Sequence, residues 1–365
     1  MKEVEALKEG ELVHQAETQL RKVLAEVPFI HYPDQQTLFS KDGEDADLVL
    51  EAQVDGHARI IICEVKRTAE PRQVRDVAIR LRNYAAHHSV GSVYPILVAP
   101  FLSAESIAIC QKAGIGAMDL AGNAWISFPF DKVFIKSTGN KNPASKRVAR
   151  ALFSAKSARV LRQLLRSPKA PWKVTALSEA AKVSLGQVSN VRKILIDREW
   201  AVADEGGFRL TRPREVLEAW QKDYLRSRDR TRYYTLLHGD RLESALRRAL
   251  RNGAASHAVL ASFSAARWWA PYARIATQYF YADIEGHAEL IKALALEPVE
   301  RGENVVIYRP RDEGVFLDSQ EAAPGIWCTG LVQTYLDLAA SGERGQEAAE
   351  HLFKARIAQA WAETV

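Results

Sequence analysis

"ADLVLEAQVDGHARIIICEVK", residues 46–66, decides how the first third of this chain folds. Two runs rich in Val, Leu and Ile flank Asp55-Gly56, a dipeptide that suits a two-residue hairpin turn. With Val54 facing His57, the register puts Asp47 opposite Glu64. Side chains alternate along a strand, so Glu64 and Lys66 share a face, and Asp47 points to the same side. Two facing carboxylates repel unless a cation sits between them. One reading is a Mg²⁺ site held by Asp47 and Glu64, with Lys66 positioning or helping to deprotonate the attacking water. The other is an edge strand that carries Glu and Lys at i and i+2 as a solvated face.

Working outward, residues 11–27 predict an amphipathic helix with Leu12, Ala16, Leu20, Val23 and Leu24 on one stripe. A second helix follows Pro71, with Val74, Val77, Ala78, Leu81 and Tyr84 at helical spacing. VYPILVAP (93–100) is a continuous apolar run that suits a buried strand. A helix over 104–113 and two short strands within 116–128 complete a mixed α/β unit. Asp47 with Glu64-x-Lys66 resembles the PD-(D/E)XK nuclease core. The stretch PILVAPFLSAESIAICQKAGIGAMDLAGNAWI resembles the later half of Mrr-like restriction endonuclease domains. Ala46 stands where the motif name has proline, and Gln73 and Arg75 fall where such enzymes place an extra polar contact. The resemblance implies a restriction-endonuclease-like domain over 1–138. In an active enzyme Asp47, Glu64 and Lys66 would be catalytic, and Asp47 and Glu64 would ligate Mg²⁺.

The 365 residues suggest two or three domains, and 47% hydrophobic with 26% charged residues is ordinary for soluble cores. Net charge is +5, with a pI near 9.0. Cys63, Cys110 and Cys328 lie far apart without CxxC spacing, which argues against zinc fingers and disulfide scaffolds. The charged opening MKEVEALKEGEL predicts no secretory signal, and no apolar run approaches the ~18–20 residues of a membrane span. The expectation is a cytoplasmic protein with no membrane partner.

The sharpest composition shift runs from Lys136 to Lys173: eleven Lys or Arg and no Asp or Glu. It opens on the polar linker STGNKNPAS, and from about 154 the pattern reads helix, short strand, helix, helix, two strands. The first helix (154–168) turns Ala158, Leu161, Leu164 and Leu165 inward. A short helix over 175–183 has Thr175 as its N-cap and Ser178 exposed. In the third (184–200), Leu185, Val188, Val191, Ile194 and Leu195 form the core face. Ser184, Gln187, Ser189, Asn190 and Lys193 face outward, with Arg192 on a flank. Residues 201–213 read as a hairpin with Gly206-Gly207 at its tip. This segment is similar to the winged helix-turn-helix of bacterial regulators, in V-S-x-x-x-V-S-x-V-x-x-L and LTRP. Small polar and amide side chains at the start of such a third helix reach base edges in the major groove. Lys156, Arg159, Arg162, Lys173, Arg209 and Arg212 would hold the phosphate backbone. A three-helix cluster for protein docking would not explain 38 residues without an acid.

After Trp220 a second α/β pattern runs to the end. Trp268, Trp269 and Tyr272 read as core rather than a stacking surface, and Asp283, Asp312 and Asp318 form no recognisable metal cluster. FSAARWWAPYA, YFYADIEGHAELIKALALEPVERGENVVIYRPRDEGVF and CTGLVQTYLDLAASGERGQEAAEHL resemble the C-terminal domain of AbiEi-family type IV antitoxins. DLAGN (119–123) fits the long subgroup of that family.

The expected architecture is therefore α/β multidomain. It comprises a nuclease-like domain (1–138), a basic linker with a winged helix-turn-helix (139–222), and an AbiEi-like mixed α/β domain (223–365). The resemblance implies a sequence-specific, double-stranded-DNA-binding regulator of antitoxin type. It would repress its own operon as a homodimer and oppose a nucleotidyltransferase-type toxin, with no cofactor needed for DNA binding. The alternative is a Mg²⁺-dependent DNA endonuclease targeted by its winged helix.

Overall fold

Asp55 and Gly56 adopt φ of 50° and 78°, the two left-handed residues that a two-residue hairpin turn requires. Val54 accordingly faces His57, and the register holds to Leu48 opposite Cys63. The computed structural model describes residues 9–31, 37–38, 46–87, 93–131, 133–140, 151–251, 257–272 and 275–363. It is mixed α/β in two compact units, Met1–Val148 and Ala149–Val365.

In the first unit, chain order is α1 (Glu9–Ala25), β1 (Ile30–His31), β2 (Thr37–Leu38), β3 (Leu48–Val54), β4 (His57–Val65) and α2 (Pro71–Ala86). Then follow β5 (Val93–Ala99), α3 (Ala104–Ala113), β6 (Gly116–Asp119), β7 (Ala124–Phe128) and β8 (Val133–Ser137). The sheet runs β1-β3-β4-β5-β6-β7-β8, with β2 also paired to β3. β4 lies parallel to β5, and β5 to β6. Both faces are covered, which is why β5 is buried along its whole length. Ile61, Cys63 and Val65 join the core formed with α1, while Ile62 joins the one beneath α2 and α3. By the same alternation Glu64 emerges on the α2 side.

In the second unit come α4 (Ala155–Arg166), α5 (Val174–Ala181), α6 (Leu185–Asp197), β9 (Ala201–Asp204), β10 (Gly207–Leu210) and α7 (Pro213–Asp223). These lead to β11 (Arg230–Tyr234), α8 (Gly239–Ala249), β12 (Ala258–Leu260), α9 (Ser262–Trp269), β13 (Gln278–Ala282) and α10 (Ile284–Ala293). β14 (Glu297–Pro298), β15 (Val305–Tyr308), α11 (Gly314–Leu317), β16 (Gln320–Ala323) and β17 (Ile326–Cys328) follow. α12 (Leu331–Ala339), α13 (Glu343–Leu352), a π-helical turn (Phe353–Ile357) and α14 (Ala358–Glu363) close the order. The large sheet runs β14-β11-β15-β13-β12-β17-β16. The hairpin expected within VERGENVVIYRP does not form, because β14 and β15 both pair with β11, on opposite sides of it.

One apolar core runs through this unit, from Leu152 on the approach to α4 to Trp361 in α14. The boundary expected between residues 222 and 223 falls inside it, with Val216, Leu217 and Trp220 of α7 buried there. Trp269 is core, Trp268 is half-buried with the Arg247 guanidinium 5.6 Å from its ring centroid, and Tyr272 is exposed. Asp337 of α12 is fully buried. Its Oδ1 accepts from Tyr224 Oη at 2.7 Å, Tyr281 Oη at 2.8 Å and Gln333 Nε2 at 3.1 Å, with Arg226 Nε 3.6 Å away.

Candidate nucleic-acid interface

The helical segment begins with α4, which buries Ala158, Leu161, Leu164 and Leu165 as its periodicity predicts. The chain then forms a bridge at Trp172. Its N–H donates to the Phe208 carbonyl at 2.8 Å, and its carbonyl accepts from Phe208 N–H at 3.0 Å. Gly207 makes this approach possible: its φ is +135°, and a Cβ there would overlap the Trp172 carbonyl. The loop joining β9 to β10 is Glu205-Gly206, so the tip lies one residue earlier than the expected Gly206-Gly207.

α5 starts at Val174 with Lys173 as N-cap residue, not Thr175, and its Ser178 hydroxyl donates to the Val183 carbonyl at 2.6 Å rather than standing exposed. α6 is capped by Ser184, whose Oγ accepts from Gln187 N–H at 3.3 Å. The buried face of α6 is Val188, Val191 and Leu195, with Ile194 half-buried against it. Leu185 was expected in that core but is 51% exposed, because the first helical position lies on the outer side once Ser184 caps the turn.

Exposed at the start of α6 are therefore Ser184, Leu185, Gly186, Ser189, Asn190 and Lys193. Gln187 is half-buried, and its Nε2 donates to Ser157 Oγ at 2.8 Å. Arg192 is half-buried too, with its guanidinium 5.9 Å from the Phe208 ring centroid. Of the expected phosphate contacts, Lys156 and Lys173 are exposed. Arg209 lies 3.6 Å from Asp204, and Arg212 lies 3.6 Å from Glu215.

Two of the expected phosphate contacts need correction. Arg159 makes a two-pronged pair with Asp312, Nε to Oδ1 at 2.8 Å and Nη2 to Oδ2 at 2.7 Å. Burial pushes the Asp312 carboxyl up, but the Arg159 guanidinium outweighs it and holds it below the usual carboxylate range. Arg162 is 5% exposed, with Nε and Nη2 both donating to Gln333 Oε1, at 3.2 and 2.6 Å. Both arginines tie α4 to the C-terminal elements instead of facing outward. Lys141, Lys146, Arg147 and Arg150 of the basic run lie outside the described residues.

The hairpin carboxylates are also arranged differently from the expectation. The ladder stops at Leu48, and Asp47 sits in a bend, its N–H donating to the Cys63 carbonyl at 3.0 Å. Its Oδ2 accepts from Val65 N–H at 2.6 Å. Glu64 is 7% exposed and meets two cations of the chain itself: Lys66 Nζ at 2.5 Å and Arg80 Nη2 at 2.7 Å. Burial pushes the Glu64 carboxyl up, yet hydrogen bonds and charge from Lys66 and Arg80 outweigh this and hold it below its ordinary value. No cation from solution is needed to balance this carboxylate. Among the described residues no group of three or more His, Cys, Asp or Glu is placed to hold a metal ion. A Mg²⁺ ion would have to displace Lys66 and Arg80 from Glu64 Oε1, so the donor set as arranged does not fit one.

Sequence reasoning missed Arg80, although it stands two helical turns after Gln73 and so on the same side of α2. The Gln73 side chain accepts from the Thr68 hydroxyl at 3.0 Å and lines, with Lys66, a cleft of about 440 Å³.

Among the described residues, no helix is long and apolar enough to cross a membrane. No curated protein and no solved structure matches the chain. Residues 209–358, from β10 into α14, match the model of a family described as transcriptional regulator, AbiEi antitoxin, type IV toxin-antitoxin system, and this match supports a regulatory role linked to a toxin partner.

Proposed function

We propose that this protein is a sequence-specific, double-stranded-DNA-binding transcriptional regulator of antitoxin type that represses its own operon. In this reading α4, α5, α6 and the β9–β10 hairpin act as a winged helix-turn-helix. Ser189, Asn190 and Lys193 read base edges, and Leu185 packs on a thymine methyl group. Lys156, Lys173, Arg209 and Arg212 hold phosphates.

The observation that carries the proposal is the outward side of α6 at its N-terminal end. It presents small polar, amide and cationic side chains beside an apolar one, over a buried face that fixes the helix in place. The family match over 209–358 supports the regulatory part of the reading. A two-fold operator would call for a homodimer, and the partner to be opposed would be a nucleotidyltransferase-type toxin. The first unit, with its PD-(D/E)XK-type hairpin, serves as a platform for binding or dimerisation, its Glu64 being charge-balanced by Lys66 and Arg80.

The test uses labelled DNA from the region upstream of the gene, with and without Mg²⁺, run on native and denaturing gels. Expected are a sequence-selective shift, intact strands in both conditions, and loss of operator preference in Ser189→Ala/Asn190→Ala with non-specific binding retained. Unchanged preference in that variant would overturn the assignment of α6. Metal-dependent cuts that vanish in Lys66→Ala would make the protein a nuclease.

A further inference from the structure

The end of α4, the start of α12 and the last helical segments enclose a cleft of about 220 Å³ in the second unit. Its apolar walls include Leu165, Leu331, Ile357 and Trp361, and its polar lining includes Asp318 and Arg166. Asp318 is only 3% exposed, yet its Oδ1 has no hydrogen-bond partner among the described residues. A buried carboxylate oxygen without a donor is costly, and folded proteins seldom leave one so.

The surroundings are built to keep the carboxylate there. Gly330 precedes α12, and a Cβ at that position would overlap Asp318 Oδ2, so only glycine leaves the room this side chain occupies. Trp361 Nε1 is already spent on the Leu165 carbonyl at 2.6 Å. The Arg162 guanidinium is bound to Gln333 through Nε and Nη2, and Arg166 is exposed. The cleft thus offers one unsatisfied anionic acceptor, an apolar wall and a cation. Its volume is below the ~300–1,000 Å³ usual for drug-sized ligands.

We propose that this cleft binds a small amine with an apolar body, of the size of a hydrophobic amino acid. The ammonium group donates to Asp318 Oδ1, the apolar body packs against Leu165, Leu331, Ile357 and Trp361, and a carboxylate, where the ligand has one, meets Arg166. Because α4 forms one wall and the C-terminal helices the other, occupancy would be felt by both sets of elements.

Ligand-observed NMR and calorimetry on the full chain test this with four probes: leucine, isoamylamine, N-acetylleucine and isovalerate. Leucine and isoamylamine should bind, whereas N-acetylleucine and isovalerate, lacking the ammonium group, should bind at least tenfold more weakly. Asp318→Asn should weaken leucine about 10- to 100-fold, the range carried by a hydrogen bond to a charged group. Arg166→Gln should weaken leucine but not isoamylamine. A second variant, Ala360→Phe, fills the cleft without touching Asp318 and should abolish binding, with circular dichroism checking the fold. Equal binding of leucine and N-acetylleucine, unchanged affinity in Asp318→Asn or Ala360→Phe, or no binding of either amine at millimolar concentration would each overturn the proposal. A peptide with an N-terminal leucine and an amidated C-terminus distinguishes a free metabolite from a protein N-terminus. If the peptide binds as isoamylamine does, the cleft accepts a protein N-terminus. If leucine binds and the peptide does not, it is selective for the free molecule.

Discussion

Replacing Asp318 by asparagine should stabilise the second unit at neutral pH and do so less and less as the solution is acidified. Burial pushes the Asp318 carboxyl up to about 6 from its ordinary 3.8, against the opposing charges of Arg162 and Arg166. A raised carboxylate pKa means that the native state holds its proton more tightly than the unfolded chain. The stability this contributes is fully present below about pH 4 and is lost as pH rises through 6. At ~1.4 kcal/mol for each pH unit between the two values, the total is about 3 kcal/mol. Asparagine cannot ionise, and whatever its amide costs is the same at every pH. The stability difference between variant and wild type should therefore grow by about 3 kcal/mol in favour of the variant between pH 4 and pH 8. Urea unfolding followed by tryptophan fluorescence reads the right unit, since seven of the eight tryptophans lie within 149–365. A difference that stays constant from pH 4 to 8, or that shrinks with rising pH, would refute the reasoning.

In the first unit, Lys66→Met combined with Arg80→Met should let burial dominate, so that the Glu64 carboxyl, now held low, titrates above its ordinary value; carboxyl-carbon NMR reads this directly, and an unmoved titration would count against the pairing. Arg159→Ala, Asp312→Ala and the double variant should reveal a coupling of about 1–3 kcal/mol in urea unfolding, as befits a two-pronged, largely buried pair, and additivity would rule it out. Gly207→Ala should destabilise the β9–β10 hairpin by about 1–3 kcal/mol through both its positive φ and its overlap with Trp172. Hydrogen exchange at Trp172 and Phe208 should rise with it. Leu185→Ala should leave stability nearly unchanged while relaxing preference at a single A·T pair, measured by competition binding with operator variants.

The hairpin register was legible because a two-residue Asp-Gly turn leaves little freedom: once Val54 faces His57, the pairing back to Leu48 follows. Asp47 escaped that logic because it lies one residue beyond the last ladder pair, where its carboxylate finds the Val65 amide. The helical faces of α4 and α6 were legible from spacing alone, apart from Leu185 at the capped first turn. What composition could not reveal was the fate of individual cations. Eleven basic residues without an acid read as an exposed stripe, but Asp312 and Gln333, each more than 150 positions downstream of its arginine, hold Arg159 and Arg162. Asp318 was unremarkable in sequence for a similar reason, since its isolation follows from the distant helices that bury it.

The pairs Arg159–Asp312 and Arg162–Gln333 have a consequence for how such a protein can be reassembled by recombination or by design. Grafting a different set of reading helices in front of β11 would leave Asp312 and Gln333 without their arginines in a largely buried setting. A new operator specificity is therefore better obtained by changing side chains on the outer turn of α6 than by transplanting the helices whole. Any successful chimera would have to carry residues 312 and 333 along with 159 and 162.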